Sequence, residues 1–336
     1  FMSKEYIEAV MKRYGKPETY CCNKISYKKY QNWKSQNNKE HFEYLFFIEK
    51  KNSSDVVYES PLNYIGNKTR VISEIRKKLP SDIDSFIDAF GGGFNVGINI
   101  NSKSIIYNEY NHFVKDLIES FWHYDTFLYI NYMKKIIQRF ELEPGNKESY
   151  LKVRDYYNSF PKDKRDPRLL LVVILYSFQQ QIRFNGNHEF NNPVGMRWFN
   201  DKILEKLISF SRHIKELNVR FYCSDYTDMF NYVNDGHTFM YLDPPYMLTN
   251  GSYNDGKRGF KGWDTSQELA LFEFLDRLND EGSRFMLSYV LEHKGRTNQT
   301  LLNWVNDNNY RIIELGDVLG ISGSRRKEIL VINYEQ

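Results

Sequence analysis

Apolar and polar positions along this chain follow two alternating periods. Short β-rich runs recur at Ser85–Phe90, Ser104–Asn108, Arg220–Cys223, Thr238–Leu242, Arg284–Tyr289, Tyr310–Leu315 and Glu328–Asn333. Between them, apolar residues fall at helical spacing in Lys68–Leu79, Phe113–Trp122, Lys202–Leu217, Gln267–Asn279 and Gln299–Val305. Strands alternating with helices of this length predict an α/β fold with a seven-stranded, mostly parallel sheet. More than 100 residues separate the second run from the third. That gap predicts an insertion, helical at first and ending in a polar, aromatic stretch over Ser177–Phe199.

Composition narrows the class. Charged residues make up 26% and hydrophobic ones 41% of the 336, which excludes a disordered or fibrous chain. The longest apolar run, Leu169–Phe178, is too short to span a bilayer. With no signal peptide at its start, the chain is expected in the cytoplasm. Three cysteines (Cys21, Cys22, Cys223) and seven scattered histidines form no disulfide framework or metal-ligand spacing, so no metal is expected. Cys223 is expected in the core. Net charge is only +3, yet Lys12–Lys39 alone carries +7, from eight basic residues and Glu18, and the remainder sums to −4. Tyr14, Tyr20, Tyr27, Tyr30 and Trp33 are interleaved with those charges. The mixture suits phosphate neutralisation with stacking, although a solvated helix face is the plainer use of a charge run.

Two corners carry chemistry. The strand Ser85–Phe90 runs into Gly91-Gly92-Gly93, where a sharp turn admits a ligand beyond the carboxyl end of the strand. The next strand ends in Glu109, an acceptor suited to both hydroxyls of a ribose. Dinucleotide-binding dehydrogenases share that pattern, so it selects a nucleotide-like cofactor and no reaction. The strand Thr238–Leu242 is followed directly by Asp243-Pro244-Pro245-Tyr246. Two prolines fix the backbone, so the Asp243 carboxylate and the Pro244 carbonyl can converge on one exocyclic amino group. Tyr246 offers a flat face for a planar base.

With these residues in place, the chain resembles the Dam-like (α-class, D12) DNA adenine-N6 methyltransferases, over most of residues 58–336. Asp243–Tyr246 is similar to their catalytic motif. Pro61–Lys68 resembles the Trp/Tyr-x-Gly-Gly-Lys motif before the first strand, with Gly66-Asn67-Lys68 in place of Gly-Gly-Lys. Asp88–Gly97 resembles the cofactor loop, with Ala89 where the family has Pro and Phe94 where many members place the last Gly. Glu109-Tyr-Asn111 is similar to the acid-x-Asn motif, and Phe221–Tyr226 to the segment beneath the cofactor adenine. Gly320–Leu330 resembles the stretch before the last strand.

The resemblance implies a methyltransferase fold with helices on both faces of the sheet, and S-adenosyl-L-methionine as cofactor. It implies a cofactor site lined by Tyr64, Gly66, Lys68, Asp88, Phe90, Gly91, Gly92, Gly93, Glu109, Asp225 and Asp243. The catalytic residues would be Asp243, Pro244, Pro245 and Tyr246, acting on an adenine flipped out of double-stranded DNA. Phe178–Gly195 resembles the Dam-type recognition hairpin, which implies DNA contacts from Gln181, Arg183 and Asn185. The domains expected are a basic appendage over 1–55 and a catalytic domain over 56–111 and 201–336. A target-recognition insertion over 112–200 completes them, with its hairpin near 178–195. Phe260–Trp263 is expected to close over the flipped base. A monomer in a type II restriction–modification setting is implied, with a cognate endonuclease acting separately and no membrane. Three rivals stay open: cytosine N4 or an RNA or protein amino group on the same fold, a dehydrogenase, and a catalytically inactive DNA-binding regulator. Relatives acting on the other amino groups more often carry Ser or Asn in place of Asp243.

Overall fold

The computed structural model describes residues 56–335 apart from 65, 234–235, 250–262 and 320–324, together with the backbone of two strands before them. Contacts divide the chain into Phe1–Val56 and Val57–Gln336. In the first unit, β1 (Cys21–Ser26) pairs antiparallel with β2 (Phe42–Phe47), Cys21 opposite Phe47 and Ser26 opposite Phe42. The middle of the basic stretch is therefore a strand, where a helix face had been the plainer expectation. Its side chains and the rest of 1–55, including the expected DNA contact, lie outside the described residues.

All seven runs predicted from the pattern are strands of one sheet. They are β3 (Ser85–Asp88), β4 (Ser104–Asn108), β5 (Val219–Tyr222), β6 (Thr238–Leu242), β7 (Arg284–His293), β9 (Arg311–Leu319) and β10 (Arg325–Ile332). The order is β5-β4-β3-β6-β7-β10-β9, and a two-residue β8 (Arg296–Thr297) pairs with β7. Pairs from β5 through β7 are parallel, while β10 runs antiparallel to both neighbours. The chain moves from β3 outward to β4 and β5, then returns to place β6 on the other side of β3. That reversal opens a crevice beyond the carboxyl ends of β3 and β6, where open α/β sheets bind ligands.

Burial follows position in the sheet. β6 is buried throughout and β4 nearly so, as expected for parallel strands covered on both faces. β5 is an edge strand and only its first residue is buried. Cys223, just beyond it, is exposed, which corrects the expectation of a core cysteine: an edge strand has no neighbour to cover its end.

Helix α1 (Ile72–Lys78) precedes the sheet, and α7 (Thr265–Asp280) and α8 (Gln299–Asp307) cover one face. Leu271, Leu275, Leu278 and Leu301 pack there against Ile87, Met240, Leu242, Leu287 and Val331. Asp264 starts α7 with a full capping box to Gln267. α1 begins four residues later than the periodicity predicts, because Lys68–Val71 form a turn, with Val71 N donating to Lys68 O at 3.0 Å.

The long gap between β4 and β5 holds α2 (His112–His123), α3 (Thr126–Arg139), α4 (Lys147–Asn158), α5 (Pro167–Tyr176) and α6 (Asp201–His213). Every residue of α5 from Leu169 to Tyr176 is buried; a helix apolar all round must be enclosed, and α2, α3 and α4 all contact it. After α5 the chain turns back on itself through antiparallel bridges at Ser177–Val194 and Phe184–Phe190.

Candidate active site

The glycine turn is shaped by what a side chain would strike. A Cβ at Gly91 would lie 2.3 Å from the Tyr107 ring and one at Gly92, whose φ is +48°, would lie 2.9 Å from Tyr64. The loop is pinned from both sides: Gly91 N donates to Asn108 O at 2.7 Å and the Tyr107 hydroxyl to Gly92 O at 2.8 Å. Glu109 then folds back over it. One carboxylate oxygen accepts from Gly92 N at 3.0 Å and the other from Asn111 N at 2.8 Å, so the acid is held at the end of β4.

Asp88, at the end of β3, is 2% exposed. It accepts from Gly97 N at 3.0 Å. Burial pushes its carboxyl up to about 7; the Gly97 amide opposes that rise, and the nearby Asp243 and Glu109 charges add to it. Asp225 uses its carboxylate locally, accepting from Thr227 N and Oγ1 at 3.0 and 2.7 Å. Phe90 stacks on Tyr226 with ring centroids 5.1 Å apart.

The second corner sits beside the first, because β6 is hydrogen-bonded to β3 with Asp88 opposite Tyr241. Asp243 Oδ2 lies 2.6 Å from Lys68 Nζ and its Oδ1 accepts from the Tyr246 hydroxyl at 2.5 Å. Lys68 Nζ also donates to the Tyr246 oxygen at 2.7 Å and to Gly66 O at 3.3 Å. Burial alone would pull the Lys68 ammonium down, but Asp243, Tyr241 and Glu328 together outweigh it and hold Lys68 above its usual range. On Asp243 itself burial outweighs the pull of the Lys68 ammonium and the Tyr246 hydroxyl, and the carboxyl is raised above its usual range. The geometry favours the ion pair, since both Asp243 oxygens accept from close donors. Tyr246 is 4% exposed and meets Tyr289 edge-on at 5.3 Å, so its ring face is turned into the core.

A cavity of about 500 Å³ joins the two corners. Every cofactor-site residue expected from the sequence lines it: Tyr64, Gly66, Lys68, Asp88, Phe90, Gly91, Gly92, Gly93, Glu109, Asp225 and Asp243. Of the catalytic set, Asp243 and Pro245 line it, while Pro244 and Tyr246 do not. Trp263 is in the wall, edge-on to Phe90 at 6.1 Å; Phe260–Gly262, expected to act with it, lie outside the described residues, as do Gly320–Ser324.

The hairpin reaches the same cavity. Gln181 and Arg183 line it, and Arg183 is exposed. Asn185 does not: its amide donates to Glu189 at 2.7 Å and its oxygen accepts from Asn187 N and Glu189 N. Those bonds close the hairpin tip and leave the side chain little to offer a base. Asn108 was missed by sequence reasoning. It is 1% exposed, and it bridges Ala89 O and Ser224 O at 3.1 Å each, joining the strand ends beneath the cavity. An amide closing an apolar strand was the only available signal.

The chain spans about half the length of the curated relatives it matches most fully. It is 37% identical to the type II methyltransferase M.FokI of Planomicrobium okeanokoites, over 98% of this chain and 54% of that protein. It is 34% identical to the modification methylase StsI of Streptococcus sanguinis, over 99% and 54%. A shorter relative, the type II methyltransferase M.MjaIII of Methanocaldococcus jannaschii, is 27% identical over 81% of this chain and 98% of its own length. Residues 64–321, which include both corners, the cavity between them and the hairpin, match the family model, and by that match the chain belongs to the D12 class of N6 adenine-specific DNA methyltransferases.

Proposed function

We propose that this chain transfers a methyl group from S-adenosyl-L-methionine to N6 of an adenine flipped out of double-stranded DNA, as the modification half of a type II restriction–modification system. One observation carries the reading. The Asp243 corner and the glycine–Glu109 corner face one cavity, so an amine acceptor and a nucleoside cradle stand within reach of each other.

The residues fit the cofactor. Glu109 presents a carboxylate fixed by two backbone amides, suited to a ribose diol. Phe90, Tyr226 and Trp263 supply flat apolar walls for an adenine ring. When bound, the cofactor supplies an electrophilic methyl on a sulfonium that is already a good leaving group. What remains for the protein is position and polarisation.

Asp243 is the acceptor for the target amine, together with the Pro244 carbonyl. Drawing on the N6 hydrogens turns the nitrogen lone pair out of ring conjugation and toward the methyl. In the structure the Tyr246 hydroxyl already donates to Asp243 Oδ1, in the place an amino N–H would take. Entry of the base therefore exchanges one donor for another at Asp243 Oδ1, and stacking on Tyr246 requires its ring to turn outward from the core. Lys68 keeps the other Asp243 oxygen paired, which opposes the effect of burial and holds the carboxyl group oriented.

Target recognition belongs to the insertion, with Arg183 and Gln181 at the cavity rim. Arg pairs with guanine O6 and N7, Gln with adenine N6 and N7, at about 1–3 kcal/mol of discrimination each. The enzyme is read as a cytoplasmic monomer acting apart from its cognate endonuclease. Among the described residues no helix is long and apolar enough to cross a membrane, and no His, Cys, Asp and Glu cluster suits a metal ion.

The test is to expose duplex DNA to the purified protein with labelled cofactor and to sequence the product for N6-methyladenine. A single shared motif around every modified adenine is the expected result. Label on cytosine N4, or on protein or RNA alone, would refute the reading. Binding of duplex with no label at all would favour the inactive regulator.

A further inference from the structure

Behind the catalytic corner runs a buried hydrogen-bond chain that methyl transfer, as read above, does not use. Glu268 on α7 is 0% exposed. Its Oε1 accepts from the Tyr289 hydroxyl at 2.6 Å and from Asn298 Nδ2 at 2.7 Å, while Oε2 has no hydrogen-bond partner among the described residues. A carboxyl group is a costly way to pack a helix on a sheet unless its acceptor is needed. Tyr289, on β7, presses its ring edge-on against Tyr246. Its oxygen accepts from Trp263 Nε1 at 3.1 Å.

The direction of these bonds is fixed. An indole N–H can only donate, so the Tyr289 oxygen accepts from Trp263 and its own proton goes to Glu268. Burial and the Glu268 charge hold the Tyr289 phenol well above its usual range, so it stays a neutral donor. Trp263 lines the cavity beside Phe90, so Tyr289 both packs against Tyr246 and holds the cavity wall.

We propose that Glu268 and Tyr289 are positioning residues, which fix Trp263 in the cofactor wall through a single polarised hydroxyl. The cofactor half of this inference rests on the reading of the cavity as an S-adenosyl-L-methionine site. If the pair were mere core packing, Tyr289→Phe would lower global stability and nothing else.

Hydrogen exchange at the Trp263 indole N–H, read by NMR, and calorimetric titration with S-adenosylhomocysteine separate the two. In Tyr289→Phe, that indole should exchange roughly tenfold faster and the dissociation constant should rise about 5- to 10-fold, the effect of one hydrogen bond lost. The Trp304 indole, which donates to Asp276 instead, should keep its protection. Glu268→Gln retains an accepting oxygen and should keep most of both values; Glu268→Leu should behave like Tyr289→Phe. Unchanged Trp263 exchange in Tyr289→Phe overturns the proposal, as does loss of protection in step with Trp304. If the wild-type protein binds no S-adenosylhomocysteine, the cofactor reading fails, and exchange at Trp263 still decides whether the pair positions that wall.

Discussion

Asp88 gives the sharpest test of the electrostatics at the cavity. It is almost fully buried at the end of β3, with one amide donor and with Asp243 and Glu109 as acidic neighbours. Its carboxyl rises from an ordinary 3.8 to about 7 on folding. A group with a raised folded pKa holds its proton in the native state after the unfolded chain has lost it, so stability falls as pH climbs from about 4 to about 7. Below that window both states are protonated and the residue costs nothing. Above it both are ionised and the cost is constant. At about 1.4 kcal/mol per factor of ten, the full cost is about 4 kcal/mol. Asp88→Asn removes the titration and keeps an oxygen to accept from Gly97. Urea unfolding of both proteins from pH 4.5 to pH 8.5 reads the difference directly. The variant should be nearly matched with wild type at the acid end and more stable by about 3–4 kcal/mol at pH 8. A difference that stays flat across this range would refute the assignment of a neutral, buried Asp88.

The remaining tests address the proposed chemistry. Asp243→Ala should lower methylation turnover by about 10²–10³-fold, the worth of one preorganised electrostatic partner, while calorimetry shows S-adenosyl-L-methionine still bound; near-normal turnover would remove Asp243 from its role. Glu109→Ala should weaken cofactor binding by roughly tenfold, since charged hydrogen bonds are worth about 1.5–3 kcal/mol, and an unchanged dissociation constant would place the ribose elsewhere. Arg183→Ala should weaken binding to the methylated sequence more than to random duplex; equal loss on both, with a shallower salt dependence, would assign the side chain to phosphate. Gly91→Ala forces a Cβ to within 2.3 Å of the Tyr107 ring, so it should melt several degrees lower and bind cofactor poorly, whereas a wild-type melting temperature would show that the loop yields easily.

The chain by itself determined the elements and the two corners. The strands β3 to β7, β9 and β10 follow from short β-rich runs, because strands in a sheet covered on both faces need consecutive apolar residues, although the most apolar run, Leu169–Tyr176, is a helix. The glycine turn and Asp243–Tyr246 were legible for the same local reason: glycine and proline act on the backbone where they stand. Tertiary structure decided everything that depends on which strands become neighbours. Lys68 and Asp243 stand 175 residues apart and meet at 2.6 Å only because the chain returns to lay β6 against β3. The inward turn of Tyr246 is set by Tyr289, on a strand that joins the sheet later in the chain. Asn185, expected to read a base, has its oxygen and one amide hydrogen engaged within the hairpin tip. Cys223 looked buried until β5 proved to be an edge strand. Residue type and spacing fix what a side chain can do; the order of strands in the sheet fixes what it meets.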